Sequence, residues 1–319
     1  MSVLDVSDLS VHYPTRSGVL RAVNRVSFTI KQGTTLGIVG ESGSGKSQLA
    51  MAIMGLVDNH ALVSGKIMFE EQSLLDLGNS QRRSINGNRI AMVFQDPMSS
   101  LNPYLSIATQ MTEVLVTHKQ INYKAALMQS IELLVDCGID DAEKRINGYP
   151  HEFSGGMRQR ILIATALLCQ PTLLIADEPT TALDVSMQAQ ILGLLKQMQH
   201  QHGTTLMVIT HDFGVVTELC DQVMVMYGGQ VMEYGLVSAV LQQPQHPYTQ
   251  GLLASMPTLK KTGQQYSLSG DSPDPVNLPR GCPFEPRCSQ RVLQCKSTKP
   301  EQVLFRDGGQ VFCHAIATQ

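Results

Sequence analysis

Gly40-Glu41-Ser42-Gly43-Ser44-Gly45-Lys46-Ser47 is the stretch that decides how this chain folds. A short apolar run, Thr35–Val39, precedes it with the profile of a buried strand, and a helical pattern over Lys46–Leu56 follows. Strand, glycine-rich turn and helix come in the order a phosphate-binding loop requires, and the eight residues fit that pattern at every specified position. Glycines let the backbone curl until successive N–H groups point inward at one anion. Lys46 adds a point charge for the β- and γ-phosphates of a nucleotide, and Ser47 offers a hydroxyl to Mg²⁺. The positive end of the following helix faces the same anion.

Moving outward, Leu173-Leu174-Ile175-Ala176-Asp177-Glu178 reads as a buried apolar strand ending in two acids. Such a strand end can fix Asp177 near Mg²⁺ and place Glu178 where it polarises an attacking water. Apolar strands often end in acids, so the pair gains its meaning beside the loop. Phe153-Ser154-Gly155-Gly156 precedes an apolar helix from Met157 to Cys169. A serine and two glycines at a helix start make a second candidate anion site, although the same residues are common N-caps.

The rest of the chain supplies the frame. Leu4–Tyr13, Val26–Ile30, Ile67–Phe69, Ile90–Phe94, Thr205–Ile209 and Val223–Met226 carry strand patterns. From about Leu101 to Cys137 the pattern turns helical, notably over Ala125–Val135, which suggests a helical subdomain at about 98–165. Val185, Ala189, Leu192 and Leu195 recur at helical spacing and read as core packing. Strands alternating with helices predict an α/β domain over 1–243 with a largely parallel core sheet. After Gln243 the prolines at 244, 247, 257, 273, 275, 279, 283 and 286 break up regular structure, so 244–319 is expected to be a small irregular extension.

Composition narrows the partners. The 319 residues carry a net charge of −3, with 43% hydrophobic and 16% charged residues, which does not favour nucleic acid as a partner. No positively charged stretch followed by an apolar run stands near Met1. The longest apolar stretch, Ile161–Cys169, is shorter than the roughly 20 residues a spanning helix needs. The expectation is a protein that serves a membrane, if it does, from the cytosol and through separate membrane-spanning partners.

Taken together, the loop, Gln95, Ser154-Gly155-Gly156, Asp177-Glu178, Ala182-Leu183-Asp184 and His211 occur in an order that resembles the ABC transporter ATPases. The resemblance implies a P-loop ABC ATPase fold. It also implies a head-to-tail dimer in which each ATP lies between one subunit's loop and its partner's signature serine and glycines. It implies that Tyr13 stacks on adenine and that Gln48 joins Gly40, Ser42, Gly43, Ser44, Gly45, Lys46 and Ser47 in nucleotide binding. Mg²⁺ would be met by Ser47, Gln95 and Asp177, and Gln95 would also report to the membrane subunits. Catalysis would fall to Glu178, His211 and Gln95, with His211 touching the γ-phosphate and Asp184 crossing the dimer interface. The chain has Phe153 and Met157 where the family signature usually has Leu and Gln, which puts a glutamine contact at 157 in doubt.

A narrower likeness, to oligopeptide and dipeptide permease ATPases, rests on four stretches. They are His151–Arg160, Gln95-Asp96-Pro97 with Leu101-Asn102-Pro103, His246-Pro247-Tyr248-Thr249, and Gly281-Cys282-Pro283-Phe284 with Pro286-Arg287-Cys288. It implies a peptide importer, most like the oligopeptide D-type subunit. The implied partners are a second, different ATPase subunit, two multispanning permease subunits and, indirectly, an extracytoplasmic peptide-binding protein. The implied place is the cytoplasmic face of the inner membrane. An importer of dipeptides or of another small solute such as nickel is the alternative within the same family. A non-transport ABC protein would bring two ATPase halves or a long coiled coil, and this sequence has neither. A nucleotide kinase or GTPase would leave Ser154 without a purpose.

Seven cysteines are spread unevenly. Cys137, Cys169 and Cys220 stand alone in apolar or helical contexts and read as structural thiols. Cys282, Cys288, Cys295 and Cys313 crowd the end of the chain with gaps of five, six and seventeen residues. That spacing matches neither a typical zinc ribbon nor a ferredoxin run, so zinc, an iron–sulfur cluster and unligated thiols all remain open. The resemblance to peptide-permease ATPases selects a [4Fe–4S] cluster on these four residues. His314 is a possible substitute ligand, a solvent-facing histidine being its plainer reading.

Overall fold

A computed structural model describes residues 1–96, 100–181, 183–255, 268, 270–305 and 308–316. Pro97, Ala182, Pro257 and the first residues of the expected helical subdomain, 98–99, lie outside the described residues. The chain divides into two compact units. One comprises Met1–Val3, Lys31–Thr34 and Asp76–Ile209, and the other Leu4–Ile30, Thr35–Leu75 and Thr210–Gln319.

The second unit holds the loop. Its first sheet is antiparallel and runs in the order β2 (Gly18–Lys31), β1 (Ser2–Thr15), β4 (Leu62–Phe69), β5 (Gln72–Ser73). Leu4 pairs with Phe69 and Val6 with Ile67, and those four side chains are almost fully buried. The other sheet is built on β3 (Thr35–Val39), buried at all five positions as a parallel core strand requires. It pairs in parallel with β9 (Gln222–Tyr227), Ile38 facing Met224. β9 turns through Gly228 and Gly229 into antiparallel β10 (Gln230–Leu236), and β12 (Gln310–Phe312) and β11 (Gln302–Leu304) continue that edge. The extension therefore adds two strands to the sheet. It also contributes a helix over Pro247–Ala254, while Glu285–Arg287 and Leu293–Lys296 form single 3₁₀ turns.

The first unit is a parallel sheet with a helical insertion. β6 (Ile90–Val93), β7 (Leu173–Asp177) and β8 (Thr205–Thr210) lie side by side, with Ile90 opposite Leu173 and Leu173 opposite Thr205. Between β6 and β7 the helices Ile107–Lys119, Tyr123–Asp136 and Gly155–Leu167 pack on one another, and the last also packs on β6. Ser106 and Asn122 cap the first two by accepting hydrogen bonds from Thr109 and Ala125 amides. The helix Val185–His202 departs from its sequence reading. Leu192 and Leu195 are buried, but Val185 is 85% exposed and Ala189 is exposed too. Its core stripe is Ile191, Leu192, Leu194, Leu195 and Met198, which leaves the first turns of the helix facing out.

Candidate functional site

The loop is built by backbone that only glycine adopts cheaply. Gly45 has φ +100°, and a Cβ there would run into the Ala22 carbonyl; Gly40, at φ +155°, would meet the Met226 carbonyl in the same way. The helix Lys46–Met54 starts directly on Gly45, with the Leu49 amide donating to the Gly45 carbonyl at 2.9 Å. Behind the loop, the Gly229 amide at the β9–β10 turn donates to the Ser44 carbonyl at 3.1 Å. Lys46, 7% exposed, donates from Nζ to the Gly40 carbonyl at 2.7 Å, the Glu41 carbonyl at 2.9 Å and Ser44 Oγ at 3.3 Å. Ser42 and Gly43 are exposed at the loop's crest, and Ser47 is half-buried on the helix. Tyr13 donates its hydroxyl to Gln48 Oε1 at 2.5 Å, and burial raises the Tyr13 pKa. His211 is exposed just after β8, ahead of Asp212, whose Oδ1 accepts the Gly214 amide at the next helix start.

The other unit carries the acids. Asp177 closes β7 and is buried. Glu178 follows with φ +47°, a left-handed conformation that costs a non-glycine residue about 1 kcal/mol or more. Three contacts fix it there. Its amide donates to the Ile209 carbonyl at 2.8 Å, Thr181 Oγ1 donates to its Oε2 at 2.7 Å, and Gln95 Nε2 donates to the same oxygen at 3.1 Å. The structure thus brings Gln95 onto Glu178, as the sequence could not show, and adds Thr181, which no motif singled out.

Ser154 caps the helix Gly155–Leu167, its Oγ accepting the Met157 amide at a long 3.4 Å. Gly155 is exposed with nothing near it, whereas a Cβ on Gly156 would occupy the space filled by the Met187 thioether. Met187 is itself tied to Asp184, whose Oδ1 accepts the Met187 amide at 2.9 Å and the Ser186 hydroxyl at 2.7 Å. Those bonds, the Ser186 one first, hold the Asp184 carboxyl below its ordinary pKa. Two predicted positions, Gly156 and Asp184, therefore meet through a methionine absent from every motif.

A glycine-cradled lysine, a strand-end carboxylate pair whose Glu178 is braced by glutamine and threonine, and a serine-glycine helix start now stand in one chain. Residues 23–181 match the ABC transporter family, and residues 232–295 match the oligopeptide/dipeptide transporter C-terminal region. The oligopeptide transport ATP-binding protein OppD of Haemophilus influenzae is 48% identical over 307 residues, 96% of this chain and 95% of that protein. This chain belongs to the ABC transporter family. The dipeptide transport ATP-binding protein DppD of Bacillus subtilis is 46% identical, across 98% of this chain and 94% of that one. The dimeric post-hydrolysis structure of the ATP-binding cassette MJ0796 bound to ADP and Pi superposes with a TM-score of 0.67 at 26% identity, over 73% of this chain and 98% of that one. The fold is that of an ABC ATPase, a family whose members use ATP and Mg²⁺. Among the described residues, no helix of this ABC protein is long and apolar enough to cross a membrane.

The cysteine reading does not survive. Among the described residues, no group of three or more His, Cys, Asp or Glu side chains is placed to hold a metal ion. Cys282, Cys288, Cys295 and Cys313 are free thiols, so the expected [4Fe–4S] site is withdrawn. Cys282 and Cys295 are buried in an apolar cluster with Tyr227, Tyr248 and Phe284, and Cys288 packs against it. Burial pushes the Cys282 thiol up to about 12 and raises Cys288 and Cys313 as well. Thiols held protonated are poor ligands and behave as small hydrophobes. A ring nitrogen of His314 lies 2.9 Å from the Thr298 carbonyl.

Proposed function

We propose that this chain is the ATP-hydrolysing subunit of a peptide importer, with oligopeptides as its cargo. The observation that carries the hydrolytic part is the posture of Glu178, a carboxylate held in left-handed backbone by Gln95, Thr181 and the Ile209 carbonyl. A carboxylate fixed at a strand end in this way is positioned to act as a general base toward a water. In this reading Gly40, Ser42, Gly43, Ser44 and Gly45 and the Lys46 charge receive the phosphates, Tyr13 and Gln48 meet the base, and His211 steadies the γ-phosphate. Ser47, Gln95 and Asp177 would hold Mg²⁺, which when bound neutralises charge on the phosphate oxygens. The glycine cradle fits such an anion, since any side chain at 40 or 45 would be blocked by backbone.

Ser154, Gly155, Gly156 and Asp184 serve the nucleotide of a partner. Support comes from their exposed helix starts and from the dimeric form of a similar cassette. The partner is a second, different ATPase subunit, and the pair works under two multispanning permease subunits at the cytoplasmic face of the inner membrane, fed by an extracytoplasmic peptide-binding protein. We read 1–243, with its helical part at about 98–165, as the ATPase domain and 244–319 as its extension. The likeness to both OppD and DppD proteins supports peptides as cargo, and the higher identity to OppD favours oligopeptides. Reconstitution with the permease pair and partner ATPase tests this. ATPase activity should be slow in the chain alone and rise with the partners, the binding protein and oligopeptide. Full activity in a demonstrated monomer would remove the partner-supplied half.

A further inference from the structure

Glu41 occupies a position of the phosphate loop that the motif leaves open, yet all of its polar groups are engaged. Arg287, in the 3₁₀ turn Glu285–Arg287, sets its guanidinium fork on the Glu41 carboxylate, Nη1 to Oε2 at 2.7 Å and Nη2 to Oε1 at 3.1 Å. Ser272 donates to the same Oε2 at 3.0 Å. The Glu41 amide donates to the Tyr248 hydroxyl at 2.9 Å, and its carbonyl accepts from Lys46 Nζ at 2.9 Å. Arg287, Ser272 and Tyr248 all lie beyond residue 243, more than two hundred residues from the loop in sequence.

The clamp is well bedded. The Arg287 side chain is 7% exposed and that of Glu41 24%. Arg287 also donates to the Tyr227 hydroxyl at 3.1 Å and the Leu268 carbonyl at 3.3 Å, with its guanidinium 5.7 Å from the Tyr227 ring centre. Tyr227 packs on Tyr248 and Phe284, ring centres 4.5 and 5.3 Å away. A bidentate arginine–carboxylate pair in such surroundings fixes geometry as well as charge.

The electrostatics point the same way. A carboxylate within a loop that must receive a polyphosphate opposes that anion unless a cation neutralises it. Lys46 cannot do both, because it is the cation offered to the ligand. We propose that the C-terminal extension clamps and neutralises the phosphate loop through the Arg287–Glu41 pair, making Arg287 a positioning residue for nucleotide binding. The proposal rests on the nucleotide-binding reading above. It differs from a mere staple between chain segments, which would alter stability and leave affinity alone.

The test is MgATP affinity of the full chain, measured by equilibrium binding beside a thermal melt. Arg287→Ala should weaken MgATP about tenfold, the size of one lost charge-assisted bond. Adding Glu41→Gln to that variant should recover most of the loss, because the uncompensated charge is gone. Arg287→Ala within twofold of the parent, or a defect unchanged by Glu41→Gln, would overturn the clamp. If Arg287→Ala does not fold, Arg287→Lys and Arg287→Gln decide instead. The lysine keeps the charge and should bind MgATP more tightly than the glutamine; equal affinities sink the idea. Failure of the parent chain to bind MgATP at all would instead remove the underlying function, so the two failures are told apart.

Discussion

Two helix starts in this chain are rich in serine and glycine, and their surroundings differ completely. Gly40–Ser47 is wound through left-handed glycines and backed by the Gly229 amide, the Tyr248 hydroxyl and the Arg287 guanidinium. Ser154–Gly156 has an exposed serine whose hydroxyl already caps its own helix, and an exposed glycine with nothing around it. Both can bind an anion through free amides at a helix N-terminus. Only the first comes with walls. Composition marks where phosphate can be met, and the surroundings decide whether the chain meets it alone or needs another molecule to complete the site.

The largest effect that could break this contrast lies at Glu178. If the loop binds and the acid only activates water, Glu178→Gln should cut turnover of the assembled transporter by roughly 10²–10⁴-fold and leave MgATP affinity nearly unchanged. Lys46→Ala should show the reverse emphasis, losing affinity first. A Glu178→Gln variant with a binding defect as deep as that of Lys46→Ala would mean that the acid belongs to the cradle.

Next comes Gly45→Ala. The substitution forces an L-residue into φ +100° and drives its methyl into the Ala22 carbonyl. Strain of about 1–3 kcal/mol should appear as a loss of roughly ten- to a hundredfold in MgATP affinity. Gly155→Ala, on the open helix start, should leave the chain's own nucleotide binding within twofold. Equal losses at the two glycines would erase the difference between a finished cradle and an open one.

Much of this architecture is legible in the sequence. The loop, β3, β7 and the helix starts follow from local patterns of glycine, apolar runs and caps, which short-range sterics enforce. What escaped was whatever depends on contact between distant segments. Gln95 on Glu178, Met187 against Gly156, and Arg287 on Glu41 join residues that no spacing rule relates. Val185 faces outward against expectation for the same reason, since helical periodicity finds a stripe without saying how far along the helix its cover extends. The cysteines failed differently. Their clustering is real in sequence, but apolar packing with Tyr227, Tyr248 and Phe284 is what Cys282, Cys288 and Cys295 do in the fold.

The bedding of the loop should also respond to acid. His246 caps the helix that carries Tyr248, accepting the Tyr248 amide on Nδ1 at 3.0 Å, and burial depresses its pKa from 6.5 to about 3. Between those values the unfolded chain takes up a proton that the folded chain refuses. Stability is therefore lost as pH falls from 6.5 towards 3, by about 1.4 kcal/mol per pH unit from this group. Glu233, raised by burial, works the other way around its own range, so the comparison with His246→Asn isolates the histidine. The variant should be less stable at pH 7 but show a shallower acid limb in a pH series of denaturant melts. Parallel limbs would show that His246 is not buried in its neutral form.

The smallest effect on the isolated chain is expected at Ser154, and it is the one that sharpens the contrast most. Ser154→Ala removes a cap whose hydrogen bond is already long, 3.4 Å to the Met157 amide, so stability should fall by only about 0.5–1 kcal/mol. The same variant should bind MgATP as the parent does, because the loop that holds its own nucleotide has lost nothing. Its cost should appear only when a partner is present, as weaker ATP-dependent association and slower turnover of the assembled pair. Sedimentation of the two ATPase subunits with Glu178→Gln in the background, to hold ATP uncleaved, reads association directly. If Ser154→Ala instead weakens MgATP binding by the lone chain as much as Gly45→Ala does, the open helix start serves its own nucleotide. The division between a walled cradle and a partner-directed one would then have to be given up.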